Sequence, residues 1–286
     1  MMIKRYLFGI VTASFLLGAC EKSEPVVSEA TCMDDASLYK RLGNNDSDLP
    51  CLIPQTEKKA LVLYFMSNDC PGCGSWGTKT FHEILKDNPD KTEGLQIHIK
   101  YSDPWIIPGF SDSLVQRYKP LFTPFVMVEN RVPSSTLQVT SDLSVILPRA
   151  KNWVEEISSE QAEIAPALSY RIKGDAMEIH YGGLFQKDGN GPYYFGLYLM
   201  EDHLEYNQAG STVRPYYHNN TIRQAIGGAW GEQVADGSNK AGDVFVKQTS
   251  IPLTGYWKRS DLHLLGIVWK RDAQGKMQVV NCIHVR

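Results

Sequence analysis

The sequence lacks the features of several common functional classes. Its 286 residues carry a formal net charge of −3, and lysine and arginine form no cluster, which argues against a nucleic-acid partner. It contains no Gly-x-Ser-x-Gly motif, no phosphate-binding loop and no calcium loop. Its seven histidines are scattered and form no metal-ligand pair. The apolar run at residues 6–17 is too short for a comfortable membrane span.

The sequence does contain one motif with clear chemistry, Cys70-Pro71-Gly72-Cys73. It follows an unbroken apolar run at residues 60–66, which predicts a strand, and apolar residues at near-helical spacing come after it. Cys70 is therefore predicted at a helix N-terminus, where unpaired N–H groups and the helix dipole favour a thiolate. Because the two cysteines can bond after a small rearrangement, the pair can hold two electrons as a dithiol or release them as a disulfide.

The same motif has other interpretations. A zinc site would need two further ligands nearby, and no second cysteine or histidine pair follows at that spacing. We therefore expect neither a metal nor a cofactor, and the same ligand count makes delivery of metal or haem a minor alternative. A purely structural disulfide between Cys70 and Cys73 stays open.

The first twenty residues predict the compartment. Lys4 and Arg5 precede the apolar run, which ends in small residues directly before Cys20. This ending resembles a bacterial lipoprotein signal, in which Cys20 is lipidated and becomes the mature N-terminus. By the same resemblance, Glu21 implies sorting to the outer membrane. Acyl chains would anchor the protein to a bilayer, and the rest would fold in an oxidising, extracytoplasmic space.

The remaining cysteines are Cys32, Cys51 and Cys282. Residues 21–51 begin with a polar tether and contain the first two. A Cys32–Cys51 bridge is the simplest structural disulfide. The sequence equally allows a bridge from Cys282 to either of them, although we expect a buried free thiol at Cys282.

Two domains are predicted after the tether. Residues 52–162 alternate strand and helix patterns, including a short helix that starts at Ser111 and a closing helix at residues 143–157. Residues 163–286 change to six short strands separated by turn signals, which is typical of a β-sandwich.

Residues 60–160 resemble a thioredoxin-like domain, through the two cysteines and through Thr123-Pro124 before an apolar strand. Within this group, residues 60–160 are similar to an uncharacterised thioredoxin-like family with a Thr-Pro motif. They are also similar to the outer-membrane lipoproteins of the 28-kilodalton type, which join such a domain to a C-terminal β-sandwich. The resemblance implies an α/β thioredoxin-like domain followed by an all-β sandwich domain. It also implies a cis bond at Pro124, with Pro124 and Thr123 forming the substrate-docking edge beside the cysteines.

Two positions depart from the thioredoxin pattern. Tyr64 stands where thioredoxin-type reductases carry a buried aspartate, and Asp69 stands where a tryptophan usually precedes the first cysteine. We expect the Asp69 carboxylate to oppose thiolate formation and to raise the pKa of Cys70.

A further resemblance lies in the C-terminal part. The segment with His218, Asn219 and Arg223 is similar to one in the 28-kilodalton lipoproteins. Because His218 has no partner at metal-ligand spacing, we expect these three residues to hold a long interstrand loop by hydrogen bonding.

Together these features predict a membrane-anchored, extracytoplasmic thiol–disulfide exchange protein. Cys70 would be the attacking thiolate and Cys73 the resolving thiol, and the partners would be proteins with thiols or disulfides. The alternative is an envelope binding or adhesion lipoprotein that keeps the fold as a scaffold, with an inert Cys70–Cys73 disulfide.

Overall fold

The computed structural model describes residues 52–132 and 141–286. The predicted lipidation site Cys20 and the predicted Cys32–Cys51 bridge lie outside the described residues. All described residues fall in one compact unit. In the described part of the chain, no helix is long and apolar enough to cross a membrane.

The cysteine motif lies between a buried strand and a helix. The first strand is buried along its whole length, as expected for an apolar run covered on both faces. It pairs in parallel with the second strand and antiparallel with the third. The elements of this part are β1 (Ala60–Met66), a π-helical turn (Cys73–Gly77), α1 (Thr78–Asp87), β2 (Thr92–His98), α2 (Pro108–Tyr118), β3 (Phe125–Val128) and α3 (Leu143–Ser158).

Helix α2 begins one turn earlier than the sequence predicted. Pro108 takes the first helical position, where its missing N–H costs no hydrogen bond. The hydroxyl of Ser111, the predicted first residue of this helix, donates to the buried His98 carbonyl at 2.7 Å and connects α2 to the end of β2.

All six strands predicted in residues 163–286 are present, together with shorter ones. They are β4 (Ile164–Lys173), β5 (Ala176–Phe185), β6 (Gly189–Asn190), β7 (Tyr193–Glu201), β8 (Leu204–Glu205), β9 (Tyr217–His218), β10 (Thr221–Ile226), β11 (Glu232–Ala235), β12 (Ser238–Asn239), β13 (Val244–Pro252), β14 (Leu262–Arg271) and β15 (Met277–Val285).

The largest sheet is mixed and takes strands from both parts of the chain. Its order is β15-β14-β7-β10-β2-β1-β3, with β11 also paired to β7. The two parts join where Thr221 of β10 pairs in parallel with Gln96 of β2. A second sheet has the order β13-β5-β4, and β6 with β12 and β8 with β9 form two small ribbons. The architecture is therefore mixed α/β, with one large mixed sheet, few helices and additional sheets.

Among the described residues, three apolar cores follow from the alternation of side chains along the strands. Val62 and Tyr64 of β1 point toward α1 and α3, whereas Leu61 and Leu63 share a core with α2, β7, β14 and β15. A third core lies between the second sheet and the opposite face of β7 and β14. The cysteine turn therefore rests on a strand that is packed on both faces.

Candidate functional site

The two motif cysteines form a disulfide at the start of the first helical segment. Their Cα atoms are 5.2 Å apart, and the Cys73 N–H lies 3.0 Å from the Cys70 Sγ. Cys70 is 9% exposed, whereas Cys73 is fully buried. Cys70 is therefore the sulfur that an incoming thiol reaches more easily.

Pro124 packs directly against this turn. The Thr123–Pro124 peptide bond is cis, as expected from the resemblance. A Cβ atom on Gly72 would lie 2.9 Å from the Pro124 Cδ, and one on Gly77 would lie 2.3 Å from the Pro124 Cβ. The two glycines thus allow the proline to approach the helical segment closely.

An open cavity of about 370 Å³ lies beside Cys70, the more exposed of the two cysteines. Thr123 also lines it, together with Pro71, Ile99 and Lys100. The structure therefore brings together all four residues that the sequence singled out at this site, namely Cys70, Cys73, Thr123 and Pro124.

Tyr64 supports the buried side of the motif. Its hydroxyl lies 3.3 Å from the Cys73 carbonyl oxygen, to which it donates, and 3.2 Å from the Thr78 hydroxyl. Burial raises the pKa of Tyr64 well above its usual value. The residue in the position of the missing aspartate therefore holds the helical turn and stays protonated at neutral pH.

The charge of Asp69 is balanced by a cation that the sequence did not reveal. The Lys100 ammonium and the Ser67 hydroxyl both donate to the carboxylate, and the bond to Lys100 is the main reason that the pKa of Asp69 is lowered. Both members of the ion pair are about half exposed, with side-chain exposures of 56% for Lys100 and 52% for Asp69. Because Lys100 also lines the cavity of Cys70, the expected effect of Asp69 on that thiol is opposed by a positive charge.

A loop from the C-terminal part covers the cysteine turn. The Gln208 side-chain amide donates to the carbonyls of Ser67 at 3.1 Å and Cys70 at 3.2 Å. The Ala209 N–H donates to the Asn68 carbonyl at 2.8 Å. Sequence reasoning missed this loop, because its contacts join residues about 140 positions apart and no motif marks them.

Glycines permit the close approach of this loop. Gly210 has a φ of 77°, and a Cβ atom there would lie 2.0 Å from the Pro71 carbonyl oxygen. A Cβ atom on Gly74 would lie 2.1 Å from the Ala209 carbonyl oxygen. Both contacts are closer than any side chain allows, so glycine is required on both sides.

A buried polar cluster adjoins the site. The Asp103 carboxylate lies 3.1 Å from the His98 Nδ1 and accepts the Asn68 N–H at 3.1 Å. The ring of His218 packs against Trp105, with 4.7 Å between ring centroids. Burial, followed by the nearby His98, lowers the pKa of His218 to about 4, so this imidazole is neutral at pH 7.

The expectation for the loop around His218 holds in part. The Asn219 side chain accepts the His203 N–H at 2.9 Å, and Arg223 lies 3.2 Å from the buried Glu201 carboxylate. His218 pairs with Leu204 in the β8–β9 ribbon, and its ring makes a hydrogen bond with the backbone of Tyr206, whereas its Nε2 has no hydrogen-bond partner among the described residues.

The last described cysteine is not part of the site. Cys282 is a buried free thiol, as expected, and burial raises its pKa. Within residues 52–132 and 141–286, no three histidine, cysteine, aspartate or glutamate side chains are grouped so that they could hold a metal ion.

Comparison with known proteins finds a similar fold among solved structures. No family profile and no curated protein matches the sequence. Among solved structures, the chain is similar to HBP35 of Porphyromonas gingivalis, with a TM-score of 0.63 and 13% identity over 81% of this chain and 76% of that one. At this identity the likeness concerns the fold alone.

Two further solved structures match with TM-scores too low to support a conclusion about the fold. A domain of the outer membrane lipoprotein Omp28 from Porphyromonas gingivalis has a TM-score of 0.29 and 18% identity, over 44% of this chain and 88% of that one. A beta-glucosidase from Kluyveromyces marxianus has a TM-score of 0.21 and 8% identity, over 79% of this chain and 31% of that one.

Proposed function

We propose that this chain is a thiol–disulfide exchange protein of the bacterial cell envelope. The observation that carries the proposal is the position of the Cys70–Cys73 disulfide. It lies at the start of a helical segment, where Cys70 lines an open cavity and Cys73 is fully buried. Its substrates would be proteins with thiols or disulfides.

The exchange would follow the usual two displacements. In the reduced protein, the Cys70 thiolate attacks one sulfur of a client disulfide, which forms a mixed disulfide and releases a client thiolate. The Cys73 thiol then loses its proton and attacks the Cys70 sulfur, which restores the internal disulfide and releases the second client thiolate. Two electrons pass from the protein to the client, and the reverse sequence oxidises a client dithiol.

The finer fold assignment is part of the proposal. The order β2-β1-β3, with β1 parallel to β2 and antiparallel to β3, supports a thioredoxin-like domain at residues 52–162. Residues 163–286 would be the sandwich domain, which the packing of the second sheet against β7 and β14 supports. In this arrangement, Pro124 and Thr123 would form the edge on which a client docks.

The proposed location rests on the N-terminal sequence. Residues 1–20 would be a lipoprotein signal, and lipidation of Cys20 would hold the protein on the envelope, at the outer membrane. An extracytoplasmic space would allow the proposed bridge between Cys32 and Cys51 to form and stay oxidised.

One observation favours a second function. The loop around Gln208 covers the cysteine turn, and Cys70 is only 9% exposed. An envelope binding or adhesion lipoprotein with an inert disulfide would have these features.

Trapping of mixed disulfides tests the proposal. The Cys73→Ser protein lacks the resolving thiol, so it should retain clients as adducts on Cys70, and the Cys70→Ser protein should retain none. Adducts are separated on non-reducing gels and identified by mass spectrometry. If neither variant forms adducts while the wild-type protein turns over, the assigned roles are wrong.

A further inference from the structure

Two buried histidines contact each other away from the cysteine turn. His263 lies on β14 and His284 on β15. The Nδ1 of His263 is 2.6 Å from the Nε2 of His284, and the two side chains are only 3% and 11% exposed. We refer to these two residues as the histidine pair.

A carboxylate lies at each end of the histidine pair. The His263 Nε2 is 3.1 Å from the Oδ1 of Asp202, which directly follows β7. The His284 Nδ1 is 3.1 Å from the Oε2 of Glu93, which belongs to β2. All four ring nitrogens of the pair therefore have a hydrogen-bonding neighbour.

Both carboxylates are ionised at neutral pH. Burial opposes the ionisation of Asp202 and Glu93, but the hydrogen bonds from the histidine pair and from basic side chains outweigh it, so that the pKa of each carboxyl group is lowered. The Arg286 guanidinium donates to Asp202, and the Lys59 ammonium donates to Glu93 at 2.6 Å.

The number of protons on the histidine pair follows from these contacts. Each ring nitrogen that faces an ionised carboxylate must carry a proton in order to donate. The two nitrogens that face each other need one proton between them, because two lone pairs repel and two protons clash. Three protons on four ring nitrogens make one imidazolium and one neutral imidazole. Burial lowers the pKa of His263, so His263 is the neutral member and His284 carries the charge.

The histidine pair lies where the N-terminal and C-terminal strands have few backbone contacts. In the large sheet, β10 and β2 share only the register pair of Thr221 and Gln96. Glu93 is on β2, whereas both histidines are on C-terminal strands. The Lys59 N–H adds a second connection, since it donates to the Asn281 Oδ1 of β15 at 2.9 Å. Side-chain contacts therefore contribute much of the connection between the two parts.

We infer that the histidine pair is a pH-sensitive contact, which holds one shared proton and in that state connects β2 to β14 and β15 through Glu93. When the shared proton leaves, one of the hydrogen bonds in the chain from Asp202 to Glu93 is lost, because the remaining two protons cannot serve three contacts. The contact therefore weakens as the pH rises. The inference does not rest on the proposed exchange function.

The direction of the pH dependence follows from the protons bound in each state. In the unfolded chain, two separate histidines each lose their proton near pH ~6.5. The folded pair keeps its shared proton to a higher pH and accepts a second proton only at a lower pH, because two adjacent cations repel. Its contribution to stability is therefore greatest near pH ~6.5 and is lost as the pH rises and the shared proton leaves.

Two further titratable groups lie near the ends of this chain. His82 interacts with Asp202, and Cys282 interacts with Glu93. Burial lowers the pKa of His82 and raises the pKa of Cys282, so both side chains are neutral at pH 7. They therefore leave the proton count of the histidine pair unchanged.

Nitrogen NMR of the full chain, labelled in its histidines, counts the protons directly. The ring nitrogens are assigned by their loss in His263→Gln and His284→Gln. At about pH 7.5, His284 should have both nitrogens protonated and His263 only its Nε2. The change to two neutral rings should come at least about one pH unit above the titration of the same histidines in the urea-unfolded chain. Two neutral rings or two charged rings at about pH 7.5 would overturn the inference.

Substitution of Glu93 tests the chain of contacts. In Glu93→Gln the side-chain oxygen still accepts from His284, but the negative charge is gone, so the shared proton should leave at a pH about one unit lower. The control is Glu163→Gln. Glu163 also binds a lysine, Lys270, but its hydrogen bonds involve neither histidine, so the titration of the pair should not change. Equal shifts in both variants would contradict the role of Glu93.

Hydrogen exchange tests the contact between the strands. Protection factors are compared, because they remove the intrinsic pH dependence of amide exchange. Between about pH 6.5 and pH 9, the protection of β2 and β10 should fall at least about threefold more than that of β4 and β5 in the second sheet. An equal fall in both sheets would show that the proton does not hold this junction, and it would overturn the inference even if the pair keeps its proton.

Discussion

Glu129 should make the protein less stable at alkaline pH. It directly follows β3 in a left-handed conformation, with a φ of 52°, and its N–H donates to the Leu61 carbonyl at 2.7 Å. Its Oε1 has no hydrogen-bond partner in the described residues. Burial raises the pKa of Glu129 to about 7, an effect that Lys58 and Arg131 only partly offset.

The magnitude follows from the difference between the folded and unfolded pKa values. A shift from 4.5 to about 7 corresponds to roughly 3 kcal/mol, since one pKa unit is about 1.4 kcal/mol. Because the folded pKa is the higher one, the contribution of Glu129 to stability is complete below pH 4.5 and is lost as the pH rises to about 7. Removal of the charge in Glu129→Gln should therefore leave stability unchanged at pH 4 and raise it by about 1–3 kcal/mol at pH 8.

Urea unfolding of both proteins at a series of pH values from 4 to 9 measures this difference. Subtraction of the two curves cancels the other titrating groups. A flat difference for Glu129→Gln, or one that grows toward acid pH, would refute the reasoning about this carboxyl group.

Three further predictions concern the site and its surroundings. In the reduced protein, Lys100→Met should slow alkylation of Cys70 about two- to tenfold at neutral pH, and Asp69→Asn should accelerate it. The alkylation rates are measured by iodoacetamide labelling and mass spectrometry. If both substitutions change the rate in the same direction, the prediction is wrong. Since the pKa of His218 is lowered to about 4, stability should fall as the pH drops below about 6.5, by up to roughly 3 kcal/mol at pH 4. In the variant His218→Phe, the free energy of unfolding, measured with urea, should decrease less steeply as the pH falls from about 6.5 to about 4. The same decrease in the variant and the wild-type protein would contradict this prediction. Gly210→Ala should destabilise the protein by about 1–3 kcal/mol, through backbone strain and the clash with Pro71. The loss should be smaller for the control Gly275→Ala, because Gly275 also has a φ of 77° but its Cβ would meet no atom within 4 Å. Equal losses of stability in thermal unfolding would show that the contact between the loop and Pro71 is unimportant.

The residues of the site that the sequence revealed are those with local chemical signatures. The spacing of Cys70 and Cys73 defines their chemistry without knowledge of the fold, and an apolar strand pattern places them at the start of a helix. Thr123 and Pro124 needed the resemblance to a family, because nothing near them in the sequence points to the cysteines. In the structure, the glycines at 72 and 77 accommodate this proline.

The parts that the sequence did not reveal depend on tertiary contacts. Gln208 is an ordinary loop residue in the sequence, and it becomes part of the site only because its loop folds back onto the turn. Lys100 lies 31 positions from Asp69, and the ion pair forms because β2 brings Lys100 to the end of β1. The large sheet depends on the contact between Thr221 and Gln96, a single residue pair that no periodic pattern predicts.

The reduction potential of the Cys70–Cys73 couple tests the central claim most directly. The protein is equilibrated with glutathione buffers of known ratio, and the fraction of the dithiol is read by alkylation and mass spectrometry. A working exchange protein should give a potential between about −120 and −270 mV. A potential below about −300 mV would mark a structural disulfide and would contradict the account.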